Sequence, residues 1–193
     1  VLRAGLPDIH ISPSHKVLSK IREFERFSPT AVDAYTTPVL STYLSRLQDH
    51  LIALGFQGDL LIMRSNGGVA EVERAKEEGV RLLFSGPAAG VVASAHVGVQ
   101  AEVSNMITMD MGGTSCDVCL IQDGKPRVGE DSWVNRYRVS VPVIDVTTIG
   151  AGGGSIAWVD EGGALRIGPQ SAGAEGAVVV SVDDSPRQSP AFE

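Results

Sequence analysis

The sequence predicts an α/β fold with a mixed sheet, glycine-rich β-hairpins and flanking helices. Apolar residues recur in steps of three and four over residues 30–54, which is typical of one face of a long helix. A short apolar run at residues 59–63 predicts a buried strand, and residues 106–110 predict an apolar strand that ends in an aspartate; a glycine-rich turn follows each. Small residues dominate the segment 88–99, which predicts a second helix packed closely against the sheet.

The composition is that of a globular protein: 193 residues, 43% hydrophobic, with a mean hydropathy of +0.09. The formal net charge is −7 and the basic residues are scattered, which disfavours binding to nucleic acid. No apolar run approaches the roughly 20 residues of a membrane-spanning helix. Two cysteines and no secretory signal predict a cytoplasmic setting. Because residue 1 is Val1 and not methionine, we expect a fragment or a processed chain.

The long helix is expected to begin at Ser28, directly before a proline, and to end at Gly55. Pro38 lies inside the pattern and predicts a kink, or a break into two helices. Tyr35 and Tyr43 follow the apolar spacing, so we expect them in the core. The residues before this helix are predicted to be extended and then irregular.

A polar, glycine-rich turn follows the buried strand predicted at residues 59–63. Open α/β sheets place ligand contacts in such turns, at the carboxyl ends of their strands. Arg64, Ser65 and Asn66 are therefore candidate substrate contacts, since arginine pairs with phosphate or carboxylate and asparagine donates hydrogen bonds. A simple loop with a surface arginine is the alternative, with equal weight.

The second helix is expected to begin at Ser85, because serine favours the N-cap position and Pro87 suits the first turn. Free N–H groups at the N-terminus of a helix can contact an anion. Ser85 and Gly86 are therefore a further candidate anion contact.

Residues 106–121 form the most informative stretch, in which a glycine-threonine turn joins two strands. The glycines leave no side chain in the way, so backbone N–H groups can approach a phosphate. Thr114 adds a hydroxyl donor, and Asp110 and Asp117 offer oxygen ligands suited to Mg²⁺ or its water shell. The candidate phosphate contacts are Gly112, Gly113 and Thr114. The turn alone leaves open an ordinary hairpin with a Gly-Gly turn.

A second glycine-rich loop follows the β-branched strand predicted at residues 143–149. It is not a dinucleotide-binding fingerprint, because no helix-like segment follows it, and it is not a G-x-x-x-x-G-K-[ST] loop. It shares with the earlier turn a backbone exposed without side chains. Its candidate nucleotide contacts are Gly152, Gly153 and Gly154. Two further hairpins are predicted, with turns at Asp123-Gly124 and at residues 160–163.

Cys116 and Cys119 form a C-x-x-C sequence. A redox dithiol normally lies in a loop that leads into a helix, whereas this pair lies on the predicted turn and strand. No second pair and no nearby histidine completes a zinc site. We interpret the two cysteines as small buried side chains.

Four blocks of sequence, in their order, resemble the hydantoinase A / 5-oxoprolinase family, which includes ATP-binding subunits of acetone and acetophenone carboxylases. The blocks are SHKVLSKIREFER from Ser14, MRSNGG from Met63, LFSGPAAGVV from Leu83, and the pair MDMGGTSCDV with TIGAGGGSIAWVD. The glycine-threonine turn is also similar to the D-x-G-G-T-x-x-D turn with which actin-like ATPases hold nucleotide phosphates. The resemblance covers residues 1–174 and implies an actin-like ATPase (ribonuclease H-like) lobe.

The resemblance implies ATP-dependent opening of a cyclic amide such as 5-oxoproline or a hydantoin. Phosphorylation of the amide oxygen by ATP would make the ring carbonyl electrophilic enough for water. In the carboxylases, the same machinery would activate a ketone, bicarbonate or both. The resemblance also implies Mg²⁺ as a cofactor and a hydantoinase B-type subunit or domain as a partner.

Carried over by position, Asp110 would coordinate Mg²⁺ through water or orient the attacking group, and Asp117 would fix the turn or assist the metal. Fixed N–H groups together with Mg²⁺ would stabilise the charge on transferring phosphoryl oxygens. Phosphate would be cradled by Gly112, Gly113 and Thr114, and nucleotide would lie against Gly152, Gly153 and Gly154.

Two departures from the family pattern limit these expectations: a second phosphate turn is missing, and the sequence leaves the family after Ala174. Only one Asp-Gly-Gly-Thr turn is present, although actin-like ATPases bind nucleotide between two lobes, so we expect the amino-terminal lobe to be absent. We expect a domain fragment at 1–174, with a helix-rich part at 1–100 and a phosphate-binding hairpin part at 101–174, and a divergent, disordered tail at 175–193. A carboxylase subunit and a non-catalytic module stay open as alternatives, and the isolated fragment is expected to be inactive.

Overall fold

The computed structural model describes residues 5–6, 9–134 and 137–173. The described residues form two compact units. The first unit runs to Asp110 and resumes from Asp117 to Thr147, and the second contains Met111–Cys116 and the residues from Thr148 onwards. The expected boundary at residue 100 stays a prediction, and the expected tail lies outside the described residues.

The first unit contains the helices. They are α1 (Ser14–Val17), α2 (Glu23–Ala53), α3 (Val72–Ala75), a 3₁₀ helix (Gly79–Leu82) and α4 (Ser85–Gln100). The short helix α1 falls where an irregular segment was expected. The close packing expected of α4 is confirmed, because a Cβ built on Gly98 would collide with the side chain of Met106 on the neighbouring strand.

The long helix α2 differs from its prediction at its start and in its middle. It begins at Glu23, not Ser28, and two glutamates in its first turn favour the positive end of the helix dipole. It continues through Pro29 and Pro38, so the predicted break into two helices is wrong. Tertiary packing accounts for this continuity better than local propensity, since Pro29 is itself buried. Gly55, with a φ of +87°, ends the helix as predicted.

The buried face of α2 carries polar groups. Tyr35 and Tyr43 are 83% and 59% exposed, so their expected place in the core is wrong. Asp33 and Thr37 are buried instead, and each accepts a hydrogen bond at 3.1 Å, from the N–H groups of Val80 and Gly79 respectively. The apolar spacing predicted the helix, but not which of its faces would be buried against the 3₁₀ helix.

The strands lie in short antiparallel pairs and one larger sheet. They are β1 (Leu61–Met63), β2 (Val69–Glu71), β3 (Met106–Met111), β4 (Cys116–Gln122), β5 (Lys125–Pro126), β6 (Val128–Gly129), β7 (Ser132–Val134), β8 (Tyr137–Val139), β9 (Val143–Ile144), β10 (Val146–Ile149), β11 (Ser155–Val159) and β12 (Leu165–Ser171). The larger sheet has the order β10-β4-β3, with β5 paired to β4. The pairs are β1 with β2, β6 with β9, β7 with β8, and β11 with β12.

Two strand predictions need correction. The strand at residues 59–63 is shorter and only partly buried: Leu61 is 52% exposed, because β1 pairs with β2 in a two-stranded sheet. The single strand predicted over 143–149 is divided at Asp145 into β9 and β10, which pair with different neighbours. The hairpin at Asp123-Gly124 is confirmed, and both residues have the positive φ that a two-residue turn requires.

One hydrophobic cluster joins α4 to the strands that lead into the candidate site. It contains Ala88 and Val91 from the helix with Cys119 and Ile121 from β4, and Ile144 completes it. All five are buried, so α4 is packed on the sheet that contains β3 and β4, the two strands that the glycine-threonine turn joins.

The second unit contains the hairpin of β11 and β12, and its predicted turn at residues 160–163 is confirmed. The Asp160 carboxylate accepts hydrogen bonds from the N–H groups of Gly162 and Ala164, at 3.0 and 2.9 Å, and from Arg166 Nε at 2.8 Å. The Ala164 N–H and then the Arg166 guanidinium hold the pKa of Asp160 below its ordinary value. A side-chain carboxylate therefore organises this turn.

Candidate functional site

The glycine-threonine turn lies in the second unit and closes on itself. The Gly112 N–H donates to the Ser115 carbonyl at 2.9 Å, across the turn between β3 and β4. Thr114 is exposed at the tip of the turn. The sequence therefore forms a tight turn here, as predicted.

The second glycine-rich loop packs against this turn through its backbone. The Gly153 N–H donates to the Gly112 carbonyl at 2.9 Å, and the Gly154 N–H donates to the Gly113 carbonyl at 2.8 Å. The Ser171 hydroxyl also donates to the Gly113 carbonyl, at 2.9 Å. Both carbonyls of the Gly-Gly pair are thus occupied from within the protein. Sequence reasoning missed this pairing, because no local pattern links the two segments.

Close approach explains two of the loop's three glycines. A Cβ on Gly152 would collide with the Gly112 carbonyl oxygen and lie 2.7 Å from the Ser115 nitrogen. A Cβ on Gly154 would collide with the Gly173 carbonyl oxygen. A Cβ on Gly153 would lie 3.8 Å from its nearest neighbour, an ordinary contact. A nucleotide contact by these three glycines stays a prediction, but two of their N–H groups already serve the turn.

The N–H groups of Gly113 and Thr114 differ from those of Gly153 and Gly154, which are hydrogen-bonded to the turn. Across residues 5–6, 9–134 and 137–173, neither has a hydrogen-bond acceptor. Two successive backbone donors and the Thr114 hydroxyl are groups that can donate hydrogen bonds to a phosphate. The turn thus has the donors that an anionic phosphate needs.

Asp110 lies in the first unit, near the end of β3, with its side chain exposed. Its carboxylate faces α4 where that helix has no side chain: a Cβ on Gly90 would lie 3.7 Å from Asp110 Oδ2. No group of three or more His, Cys, Asp or Glu among the described residues is placed to hold a metal. One open carboxylate suits Mg²⁺, which keeps most of its waters and takes few protein ligands. Asp117, near the start of β4, is half-buried.

The start of α4 differs from its prediction by one residue. Phe84 occupies the N-cap position and Ser85 is the first helical residue, so Ser85 is not the cap. The Phe84 N–H donates to Ser65 Oγ at 3.0 Å. Gly86 is exposed, and nothing lies within 4 Å of a Cβ built on it. An anion contact at Ser85 and Gly86 stays a prediction.

Ser65 is buried and all its polar groups are used inside the first unit. Its hydroxyl accepts the Phe84 N–H, its N–H donates to the Arg81 carbonyl at 2.8 Å, and its carbonyl accepts the Ile144 N–H at 2.8 Å. The residue therefore joins three segments. A serine within a polar, glycine-rich turn gives no sign of this burial in the sequence.

Arg64 and Asn66 are also engaged within the protein. The Arg64 guanidinium pairs with the Glu78 carboxylate, and both side chains are largely covered. Asn66 Oδ1 accepts the Gly68 N–H at 3.0 Å, which is a local turn contact. A substrate contact by Arg64, Ser65 and Asn66 stays a prediction that these internal contacts do not favour.

The two cysteines are free thiols, and both are buried. Burial, and then the nearby Asp145 carboxylate, raise the pKa of the Cys119 thiol. A raised pKa keeps the thiol protonated and unreactive. The interpretation of these residues as small buried side chains is confirmed. Within the described residues, no helix is long and apolar enough to cross a membrane.

Comparison with known proteins gives consistent relatives. A family model described as hydantoinase/oxoprolinase matches residues 26–182. Caprolactamase subunit alpha of Pseudomonas jessenii is 43% identical over 174 residues, which cover 90% of this chain and 25% of that protein. The 5-oxoprolinase 1 of Arabidopsis thaliana is 36% identical over 171 residues, which cover 86% of this chain and 13% of that protein.

Two solved structures resemble this one. The crystal structure of the ATP-dependent caprolactamase from Pseudomonas jessenii matches with a TM-score of 0.76 at 43% identity, over 90% of this chain and 25% of that one. A nucleotide-free structure of acetone carboxylase matches with a TM-score of 0.72 at 30% identity, over 83% of this chain and 22% of that one. The chain thus spans a quarter or less of the length of these relatives.

Proposed function

The chain belongs to the hydantoinase/oxoprolinase family and has its actin-like ATPase type of α/β fold, and from this premise we propose that it forms part of an ATP-dependent hydrolase of cyclic amides. One observation carries the proposal: the N–H groups of Gly113 and Thr114 have no acceptor within the described part of the chain. They lie three and four residues after Asp110 in the sequence. Backbone donors for phosphate and a carboxylate for the metal's waters are groups that MgATP chemistry requires.

In this proposal, the turn holds phosphate oxygens through the Gly113 and Thr114 N–H groups and the Thr114 hydroxyl. In the same proposal, the exposed carboxylate of Asp110 would hold water molecules of a bound Mg²⁺. Asp117 fixes the strand that leaves the turn. MgATP, when bound, supplies the phosphoryl group that activates the ring carbonyl towards water. The protein's contribution is to fix these donors before the charge develops.

The substrate class is supported by the relatives. Caprolactam and 5-oxoproline, after which two of them are named, are both cyclic amides. A secondary amide carbonyl is a poor electrophile, so its opening by water benefits from activation of the oxygen. Because caprolactamase subunit alpha is a subunit, we also propose a partner subunit of the hydantoinase B type, and a cytoplasmic location for the assembly.

A carboxylase subunit is the second candidate, because acetone carboxylase has the same fold at 30% identity. The higher identity to caprolactamase, 43%, favours the hydrolase. Bicarbonate-dependent consumption of ATP by the chain with its co-purified partner would favour the carboxylase instead.

Isothermal titration with MgADP tests the proposal. We expect the wild-type chain to bind and Asp110→Ala to weaken binding at least tenfold, about 1.4 kcal/mol. Asp49→Ala is the matched control, since Asp49 is an exposed carboxylate on α2. Equal binding by Asp110→Ala would refute the site, and no binding by the wild type would refute the function proposed for this chain.

A further inference from the structure

The hydrogen bonds on the Gly112 and Gly113 carbonyls have a geometric effect on the next residues. In a planar trans peptide, the C=O of one residue and the N–H of the next point in opposite directions. Among the described residues, Gly168-Pro169 is the cis bond, so both peptides of this turn are trans. Fixing the Gly112 carbonyl therefore aims the Gly113 N–H, and fixing the Gly113 carbonyl aims the Thr114 N–H. Both N–H groups point away from the glycine-rich loop.

We propose that Gly152, Gly154 and Ser171 are positioning residues for the phosphate-binding turn, and that the loop is not itself a nucleotide contact. The Gly153 and Gly154 N–H groups and the Ser171 hydroxyl act as a clamp on the two carbonyls, so that the Gly113 and Thr114 N–H groups converge on one phosphate. Gly152 contributes by letting the loop approach the turn closely. This inference rests on the proposed function and assigns a different role to the same loop. The clamp is made within the second unit from bonds of 2.8–2.9 Å.

The hydroxyl of Ser171 strengthens the clamp at the Gly113 carbonyl. The Gly113 carbonyl accepts two hydrogen bonds, from the Gly154 N–H and the Ser171 hydroxyl, and so uses both its lone pairs. Ser171 Oγ in turn accepts the Gly173 N–H at 3.0 Å. Hydrogen bonds in such a chain polarise one another, and the Thr114 N–H becomes a stronger donor.

The loop's own geometry is held in the same way. The Gly152 N–H donates to Ser155 Oγ at 2.8 Å, and the Ser155 N–H donates to the Gly152 carbonyl at 3.0 Å. This reciprocal pair fixes the backbone from which the Gly153 and Gly154 N–H groups reach the turn. Gly152 lies so close to the turn that only hydrogen fits in place of a side chain.

The experiment compares alanine at crowded and open glycines of the same loop. Gly152→Ala and Gly154→Ala should each weaken MgADP binding at least tenfold in calorimetry. Gly150→Ala is the control, because nothing lies within 4 Å of its Cβ and its φ lies outside the left-handed region. It should bind as the wild type does. Wild-type affinity in Gly154→Ala would overturn the proposal.

A second pair of variants changes only the side chain of Ser171 and leaves the crowded glycines in place, so the fold is retained. Ser171→Ala should weaken MgADP binding about threefold to tenfold and shift the amide ¹⁵N–¹H resonances of Gly113 and Thr114, while Ser171→Thr restores both. Unchanged resonances of these two amides in Ser171→Ala would overturn the clamp even if affinity fell. If the wild type binds MgADP and Ser171→Ala binds it equally, the clamp fails and the proposed function stands. If the wild type binds no MgADP, both fail.

Discussion

Two glycine-rich turns of this protein follow a strand, yet they use their polar groups in opposite ways. In the first unit, the side chains of Arg64 and Ser65 bond to Glu78 and to the Phe84 N–H, and the exposed Asn66 side chain bonds to the turn's own backbone. In the second unit, Gly112 and Gly113 direct their carbonyls inward and leave the next two N–H groups without an acceptor among the described residues. This difference is what suits the second turn, and not the first, to the anion binding that we propose.

The glycines of the two regions also serve different purposes. Gly67 has a φ of +83°, and its Cβ would lie 2.9 Å from Ile144 Cδ1, so it needs both a left-handed backbone and close packing. Gly152 has no left-handed φ and is required by backbone contact alone. Glycine content by itself does not distinguish a structural turn from a binding turn.

The largest effect that separates the two turns should come from Ser65→Ala. We expect the free energy of unfolding to fall by about 1–3 kcal/mol, because the partly buried Phe84 N–H loses its acceptor, the hydroxyl of the buried Ser65. Urea unfolding would measure it, with Ser104→Ala as the exposed control. If Ser65→Ala is as stable as that control, the first turn is not held as described here.

Thr114→Val should have a smaller effect, and on binding instead of stability. Thr114 is exposed, so we expect the free energy of unfolding to change by less than about 0.5 kcal/mol. MgADP binding should weaken about tenfold through loss of one charge-assisted hydrogen bond. Thr114→Ser, which keeps the hydroxyl, should restore it. Full affinity in the valine variant would remove Thr114 from the site.

The smallest effect concerns the third turn, which a carboxylate holds. The pKa of Asp160 is lowered in the folded protein, so its stabilisation is complete above the unfolded value of about 3.9. It is lost as pH falls through the lower folded pKa. The amide resonances of Gly162 and Ala164 should shift in that acid range, and Asp160→Asn should abolish the shift. An unchanged titration in the variant would mean that another group controls the turn.

The sequence was informative where structure is local. The hairpins at Asp123-Gly124 and residues 160–163, the end of α2 at Gly55 and the turn after Asp110 all follow from short-range backbone preferences. The family and its fold also followed, because several glycine-rich blocks occur in one order.

What could not be predicted depends on partners far along the chain. The buried face of α2 is set by the 3₁₀ helix, whose N–H groups need the acceptors on Asp33 and Thr37. The pairing of Gly154 with Gly113 likewise joins segments that share no periodic pattern. In both cases the backbone donor and its acceptor come together only when the chain folds.

The buried polar contacts of α2 have a dynamic consequence. Asp33 and Thr37 hold the amides of Val80 and Gly79, and α4 starts only a few residues later, at Ser85. The middle of α2 is thus coupled mechanically to the helix that flanks Asp110. Hydrogen exchange at these two amides should be slow and should accelerate only when α2 itself opens. Within the first unit, a movement imposed on the long helix would therefore be passed to the segment that leads into α4.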